Sequence, residues 1–161
     1  MKLVMMTTEI NKKNFYRDLQ AQVQALIADE TDTIANMATI AAVLFEVLEQ
    51  VNWVGFYRVL AEQLVVGPFQ GKVACLRIPL GRGVCGLAVE RDQTLRVADV
   101  HDFTDHIACD VSTNAEIVIP VHCHGSVVAV LDIDSICFDR FDEIDQQGLT
   151  SIVHMLEERM V

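Results

Sequence analysis

Three of the five cysteines fall between Phe69 and Asp110, in FQGKVACLRIPLGRGVCG and, after a polar stretch, in HDFTDHIACD. Cys75, Cys85 and Cys109 are spaced by ten and then twenty-four residues, among segments rich in glycine, proline and charge. Loops of that composition position chemistry more often than they fill a core, so the three thiols are expected to be redox-active. Cys85 follows the GRG turn and reads as part of the first turn of a short helix. There the helix dipole and free N–H groups favour a thiolate. Cys109 lies three residues after His106 and next to Asp110. Cys123 and Cys137 stand apart from these motifs and read as non-catalytic thiols.

Two later strands, AEIVIPV and SVVAVLDID, are joined by HCHG. Counting back from that turn sets Glu116 across from roughly residues 131–133, a cross-strand or diagonal neighbour of Asp132. Asp132 and Asp134 share one face of their strand, while Val127, Ala129, Leu131 and Ile133 read as core on the other. Like charges repel and burial raises carboxyl pKa values, so such a cluster is not assembled for stability. It is either a solvated acidic face or a site that binds a cation or donates protons. Upstream, WVGFYRVL puts Trp53, Gly55 and Tyr57 on one face and Val54 and Phe56 on the other. The glycine leaves a notch between two aromatics that carry N–H and O–H donors, although plain packing accounts for the same pair. A zinc centre assembled from His101, His106, Cys109 and His122–His124 lacks CxxC or HxxxH spacing, and residues 122–124 alternate sides of a hairpin tip. Neither a metal nor a cofactor is expected.

The elements that must position these residues follow from the apolar periods. Phe15, Leu19, Val23 and Leu26 or Ile27 mark one helix. Thr31 or Asp32 caps a second, with Ile34, Met37, Ala38, Ala41, Leu44, Phe45 and Leu48 on its face. Strands are expected at Trp53–Leu60, Leu64–Gly67, Val73–Leu80 and Leu95–Ala98, with the Cys85 helix before the last of these. The two long acidic strands follow, and a helix bearing Phe141, Ile144, Leu149, Ile152, Val153 and Leu156 closes the chain. The order implies an α+β fold: a central antiparallel sheet, helices packed on one face, and the cysteine-bearing loops over the other. A pocket between sheet and loops is the consequence.

A chain of 161 residues is expected to be one domain, with about the first ten residues a loose N-terminal extension. A net charge of −11 argues against nucleic acid. No apolar run approaches the roughly 18 to 20 residues of a membrane span, and MKLVMMTTEINKKN does not read as a signal peptide. A cytoplasmic location is therefore expected, where cysteines are buried, metal-bound or catalytic thiols rather than structural disulfides.

FQGKVACLRIPLGRGVCG, HIACD, AEIVIPV and AVLDIDS resemble the free methionine-R-sulfoxide reductase family, which is built on a GAF-type domain. The resemblance runs from NWVGFY to the closing helix, and generic GAF domains lack three cysteines at these spacings. Ala115 and Ala129 depart from the family pattern at positions without chemistry. The resemblance implies reduction of free L-methionine-(R)-sulfoxide by thiolate attack, a sulfenic acid, an intramolecular disulfide and recycling by thioredoxin. It implies Cys109 as the attacking thiol, Cys75 as the resolving one, and Cys85 as either. It also implies a pocket of Trp53, Tyr57, Glu116, Asp132 and Asp134, and a homodimer through the terminal helices, although such helices are equally satisfied within one subunit. The alternative is a non-catalytic GAF module that senses a small molecule or redox state; sensors usually sit in longer chains beside an output domain.

Overall fold

The computed structural model describes residues 2–104, 107 and 109–160, with side chains from Thr8 onward. Helix α1 (Lys2–Leu26) takes in the backbone of the expected N-terminal extension. Its buried stripe is Tyr16, Leu19, Val23 and, just past its end, Ile27, while Phe15 and Leu26 are exposed. The Tyr16 hydroxyl explains this rotation: it donates to Asp145 Oδ1 at 2.7 Å, and Lys12 Nζ reaches Asp145 Oδ2 at 2.6 Å. Asp145 also forms the capping box with Asp142 that starts α4 (Glu143–Glu157). Helix α2 (Thr33–Val47) begins at Asp32, whose carboxylate accepts from the Ala35 N–H at 2.7 Å. It buries Asn36, Met37, Ile40, Ala41, Val43 and Leu44 and exposes Ile34, Ala38 and Phe45. Apolar side chains line most of its circumference, so period alone leaves its rotation open.

Strands β1 (Val51–Leu60), β2 (Gln63–Gly71), β3 (Arg77–Pro79), β4 (Leu95–Val97), β5 (Ala115–Cys123) and β6 (Ser126–Ser135) form one sheet in the order β3-β2-β1-β6-β5-β4. Every pairing is antiparallel, as the α+β reading requires. Helices α1, α2 and α4 cover one face, where Val54, Phe56, Ile117, Ile119, Leu131 and Ile133 join their apolar stripes in one core. The other face carries Trp53, Tyr57, Val118 and Val130 beneath α3 (Gly83–Arg91) and the irregular segments that hold the cysteines. Helix α3 is thus the one helix outside the helical layer. No helix of the described residues is long and apolar enough to cross a membrane.

Two bulges correct the expected register. Strand β2 does not stop at Gly67; it continues through Pro68, and the register shift opposite Gly55–Tyr57 absorbs the proline. Between β5 and β6 the pairing shifts by one residue past His122, so Glu116 lies directly across from Asp134 and Val118 across from Asp132. Directly paired residues in an antiparallel ladder share a face. An unshifted count from the turn would put Glu116 opposite Ile133, a core residue, and the extra residue restores its parity with the acids. The segment Val73–Leu80 shrinks to the three residues of β3, leaving Cys75 in irregular chain before the strand.

Candidate active site

The sheet face opposite the helical layer supplies an aromatic wall. Trp53 and Tyr57 rise from alternate positions of β1, with ring centroids 5.6 Å apart, and Phe69 stacks on Trp53 at 5.3 Å. Gly55 makes this possible, because a Cβ there would sit 2.5 Å from the indole. The polar tips do not point into the cavity as free donors. Trp53 Nε1 donates to the Lys72 carbonyl at 3.1 Å and the Tyr57 hydroxyl donates to the Cys75 carbonyl at 3.0 Å. These two anchors draw the Cys75 segment across the sheet face, which is why the expected strand is short.

Cys75 and Cys109 are joined in a disulfide, and Cys85, Cys123 and Cys137 are free thiols. A polar network ties the two bonded segments together. Asp110 accepts from the Ser112 N–H at 2.9 Å and from its hydroxyl at 2.8 Å, and lies 3.4 Å from both Lys72 Nζ and Asn52 Nδ2. These bonds, Ser112 foremost, hold the Asp110 carboxyl down to about 2. Lys72 belongs to the Cys75 segment and Asp110 to the Cys109 segment, so their ion pair spans the two. Asn52 also donates to Thr113 Oγ1 at 3.0 Å, and Thr113 bonds Asp134. Sequence reasoning had no signal for Asn52, Lys72 and Thr113. They are ordinary polar residues, and Asn52 stands 58 and 61 positions from its partners Asp110 and Thr113.

The floor is acidic. Glu116 and Asp132 are buried and Asp134 half-buried, the first two exposing only 6% of their surface. Burial, then the charges of Asp132 and Asp134, pushes the Glu116 carboxyl well above the usual range. Asp134 is also pushed well up, by burial and then by Asp132 and Asp110, against a lowering bond from Thr113. Burial raises Asp132 to about 7, with hydrogen bonds to Cys85 and Glu116 opposing the rise. Asp132 Oδ1 is buried with no hydrogen-bond partner among the described residues. The acidic face is therefore not a solvated one.

Cys85 occupies the expected first turn of α3, yet the expected low pKa is overturned. Its Sγ donates to Glu116 Oε1 at 3.9 Å, and the thiol is pushed well up, first by burial and then by the surrounding carboxylates. Local charge and desolvation outweigh the dipole of a nine-residue helix. Of the residues considered for zinc, His101, His122 and Cys109 are engaged with other partners. His101 bonds Asn114 at 3.0 Å and His122 bridges Asp92 and Glu157. Cys109 is in the disulfide, and His106 lies outside the described residues. Among the described residues, Cys85, Glu116 and Asp132 bring possible ligand atoms within 4.8 Å of one another. Trp53, Tyr57, Cys109 and the three carboxyls line a partly open cavity of about 40 Å³.

A GAF domain model matches residues 24–160. A free methionine-R-sulfoxide reductase of Escherichia coli K12 is 51% identical over 149 residues, covering 92% of this chain and 90% of that protein. This chain belongs to the free methionine-R-sulfoxide reductase family. Solved structures of free methionine-R-sulfoxide reductases share its fold closely. The reduced form of fRMsr of Staphylococcus aureus matches at a TM-score of 0.89 and 45% identity, over 91% of this chain and 95% of that one. The free methionine-R-sulfoxide reductase of Neisseria meningitidis, in complex with its substrate, matches at 0.89 and 45%, over 92% and 89%.

Proposed function

We propose that this chain reduces free L-methionine-(R)-sulfoxide to L-methionine in the cytoplasm, using its own thiols, an external dithiol and no bound cofactor. The observation that carries the reading is a Cys75–Cys109 disulfide whose Cys109 lines one cavity with three carboxyls. Asp132, the carboxyl raised only to about 7 and with an unpartnered buried oxygen, takes the substrate ammonium. Glu116 and Asp134, whose carboxyls burial and neighbouring charge push well up, face the sulfoxide oxygen as acids. Trp53 and Tyr57 wall the methyl group and so select the epimer whose oxygen reaches the acids.

The Cys109 thiolate attacks the sulfoxide sulfur while a carboxyl protonates the oxygen. The S–O bond breaks, methionine leaves, and Cys109 carries the hydroxyl as a sulfenic acid. Cys75 then attacks the Cys109 sulfur, water departs, and the disulfide forms. The two electrons that reduced the sulfoxide have come from two thiols. Thioredoxin restores both thiols by exchange. Cys85 acts as an S–H donor to Glu116 rather than as the attacker. A cytoplasmic setting fits a disulfide that must be reduced in every cycle. A homodimer through the terminal helices belongs to the same proposal, supported by the exposed Ile10, Phe15 and Leu26 on and beside α1's outer surface.

The test is NADPH consumption by purified protein with thioredoxin, thioredoxin reductase and free L-methionine-(R)-sulfoxide. Steady consumption is expected; none would leave the sensor reading in its place. Within that assay, Cys75→Ser should still release one methionine per chain but recycle slowly. Unchanged recycling would remove Cys75 from the resolving role.

A further inference from the structure

Among the described residues, the three most exposed large apolar side chains are Val111 at 90%, Val73 at 85% and Leu76 at 69%. All three lie within two positions of a disulfide cysteine, Val73 and Leu76 around Cys75 and Val111 beyond Cys109. Apolar side chains scattered singly over a surface need no explanation, but three gathered around one bond do. Nor are they carried on loose chain. The Lys72 and Cys75 carbonyls are held by Trp53 and Tyr57, and the Leu76 carbonyl accepts from the Val66 N–H at 3.0 Å. Asp110 holds the Ser112 N–H across Val111. The rim is built, and it is built apolar.

We infer that Val73, Leu76 and Val111 form the docking rim for a protein dithiol that reduces Cys75–Cys109. A disulfide yields to a thiolate arriving along the S–S axis, so the visitor must present a thiol at the centre of its contact surface. One thiolate sulfur bonds to one cysteine sulfur, the other cysteine leaves as thiolate, and the visitor's second thiol releases the first as it closes its own disulfide. A charged tripeptide thiol gains nothing from an apolar rim. A folded dithiol protein with apolar surface around its attacking cysteine buries the rim on docking. Charge points the same way: exposed Lys72, which also pairs with Asp110, and exposed Arg77 border this patch and place positive charge beside it on a chain of net charge −11, which favours the approach of an acidic protein.

The inference rests on the disulfide being part of the proposed cycle, so the experiment follows that bond directly. Oxidised protein is mixed with thioredoxin, thioredoxin reductase and NADPH, or separately with dithiothreitol or glutathione, and freed thiols are counted by alkylation and mass. The double variant Leu76→Ser/Val111→Ser should lower the thioredoxin rate at least tenfold and leave the dithiothreitol rate within twofold. Leu76→Met/Val111→Ile should restore the thioredoxin rate. An unchanged thioredoxin rate would overturn the proposal, and so would parallel loss with both dithiols, or glutathione matching thioredoxin on the unaltered protein. Methionine sulfoxide is absent throughout. A chain reduced through this rim but inactive on the sulfoxide would refute the proposed function and leave the docking surface standing.

Discussion

Cys109→Ser abolishes methionine release in a single turnover, measured by mixing reduced protein with excess sulfoxide in the absence of any reductant. The unaltered chain should yield about one methionine per molecule, because one sulfenic acid forms and is resolved once. A serine hydroxyl is neither ionised at neutral pH nor able to take oxygen from the sulfoxide. The argument for Cys109 is partly an argument against Cys85. Burial and nearby carboxylates push the Cys85 thiol well up, and a thiol held protonated is a poor nucleophile. Cys109 is half-buried rather than buried, and the ionised Asp110 beside it is already engaged by Ser112, Lys72 and Asn52. Methionine released by Cys109→Ser would move the attack to Cys85 despite its surroundings.

Asp134→Asn lowers activity at least tenfold and at the same time stabilises the protein above neutral pH. The activity loss follows from removing a carboxyl whose proton is kept by burial and by Asp132. The stability gain has a definite sign. Asp134 has a folded pKa above its unfolded value of about 4, so its contribution to stability is full below that value. It is lost as pH rises through the folded pKa, because the unfolded chain ionises more easily. Asparagine has no proton to lose. Urea unfolding at pH 4 should not separate the two proteins, whereas at pH 8 the variant should be the more resistant. Binding of the amino acid by the unaltered enzyme should tighten as pH rises through about 7, where Asp132 ionises to meet the ammonium. A variant with full activity would reduce the acid cluster to architecture.

The alternation of Trp53, Gly55 and Tyr57 against Val54 and Phe56 was legible because a strand buried on both faces must sort its side chains by parity. The acid cluster was legible for the same reason, but its pairing was off by one. The register shift past His122 pairs Glu116 with Asp134 and leaves no mark in residue type. Helix rotation was less readable. Phe15 and Tyr16 are both aromatic, and the choice between them was made 129 residues away by Asp145. The Cys85 thiol was read from its own helix, whereas its state is set by Glu116 and Asp132, more than thirty positions on. Local signals carried the elements; the charges and anchors that tune the site come from partners distant in the chain.

With Cys109 bonded to Cys75, the partly open cavity that Cys109 lines holds about 40 Å³, room for only a few waters. In the proposed cycle the amino acid and the reductant both act at Cys109, and so must do so in turn. Such a cycle would alternate without a ternary complex. Double-reciprocal plots against sulfoxide at several fixed thioredoxin concentrations should run parallel, and intersecting lines would show that both are bound at once.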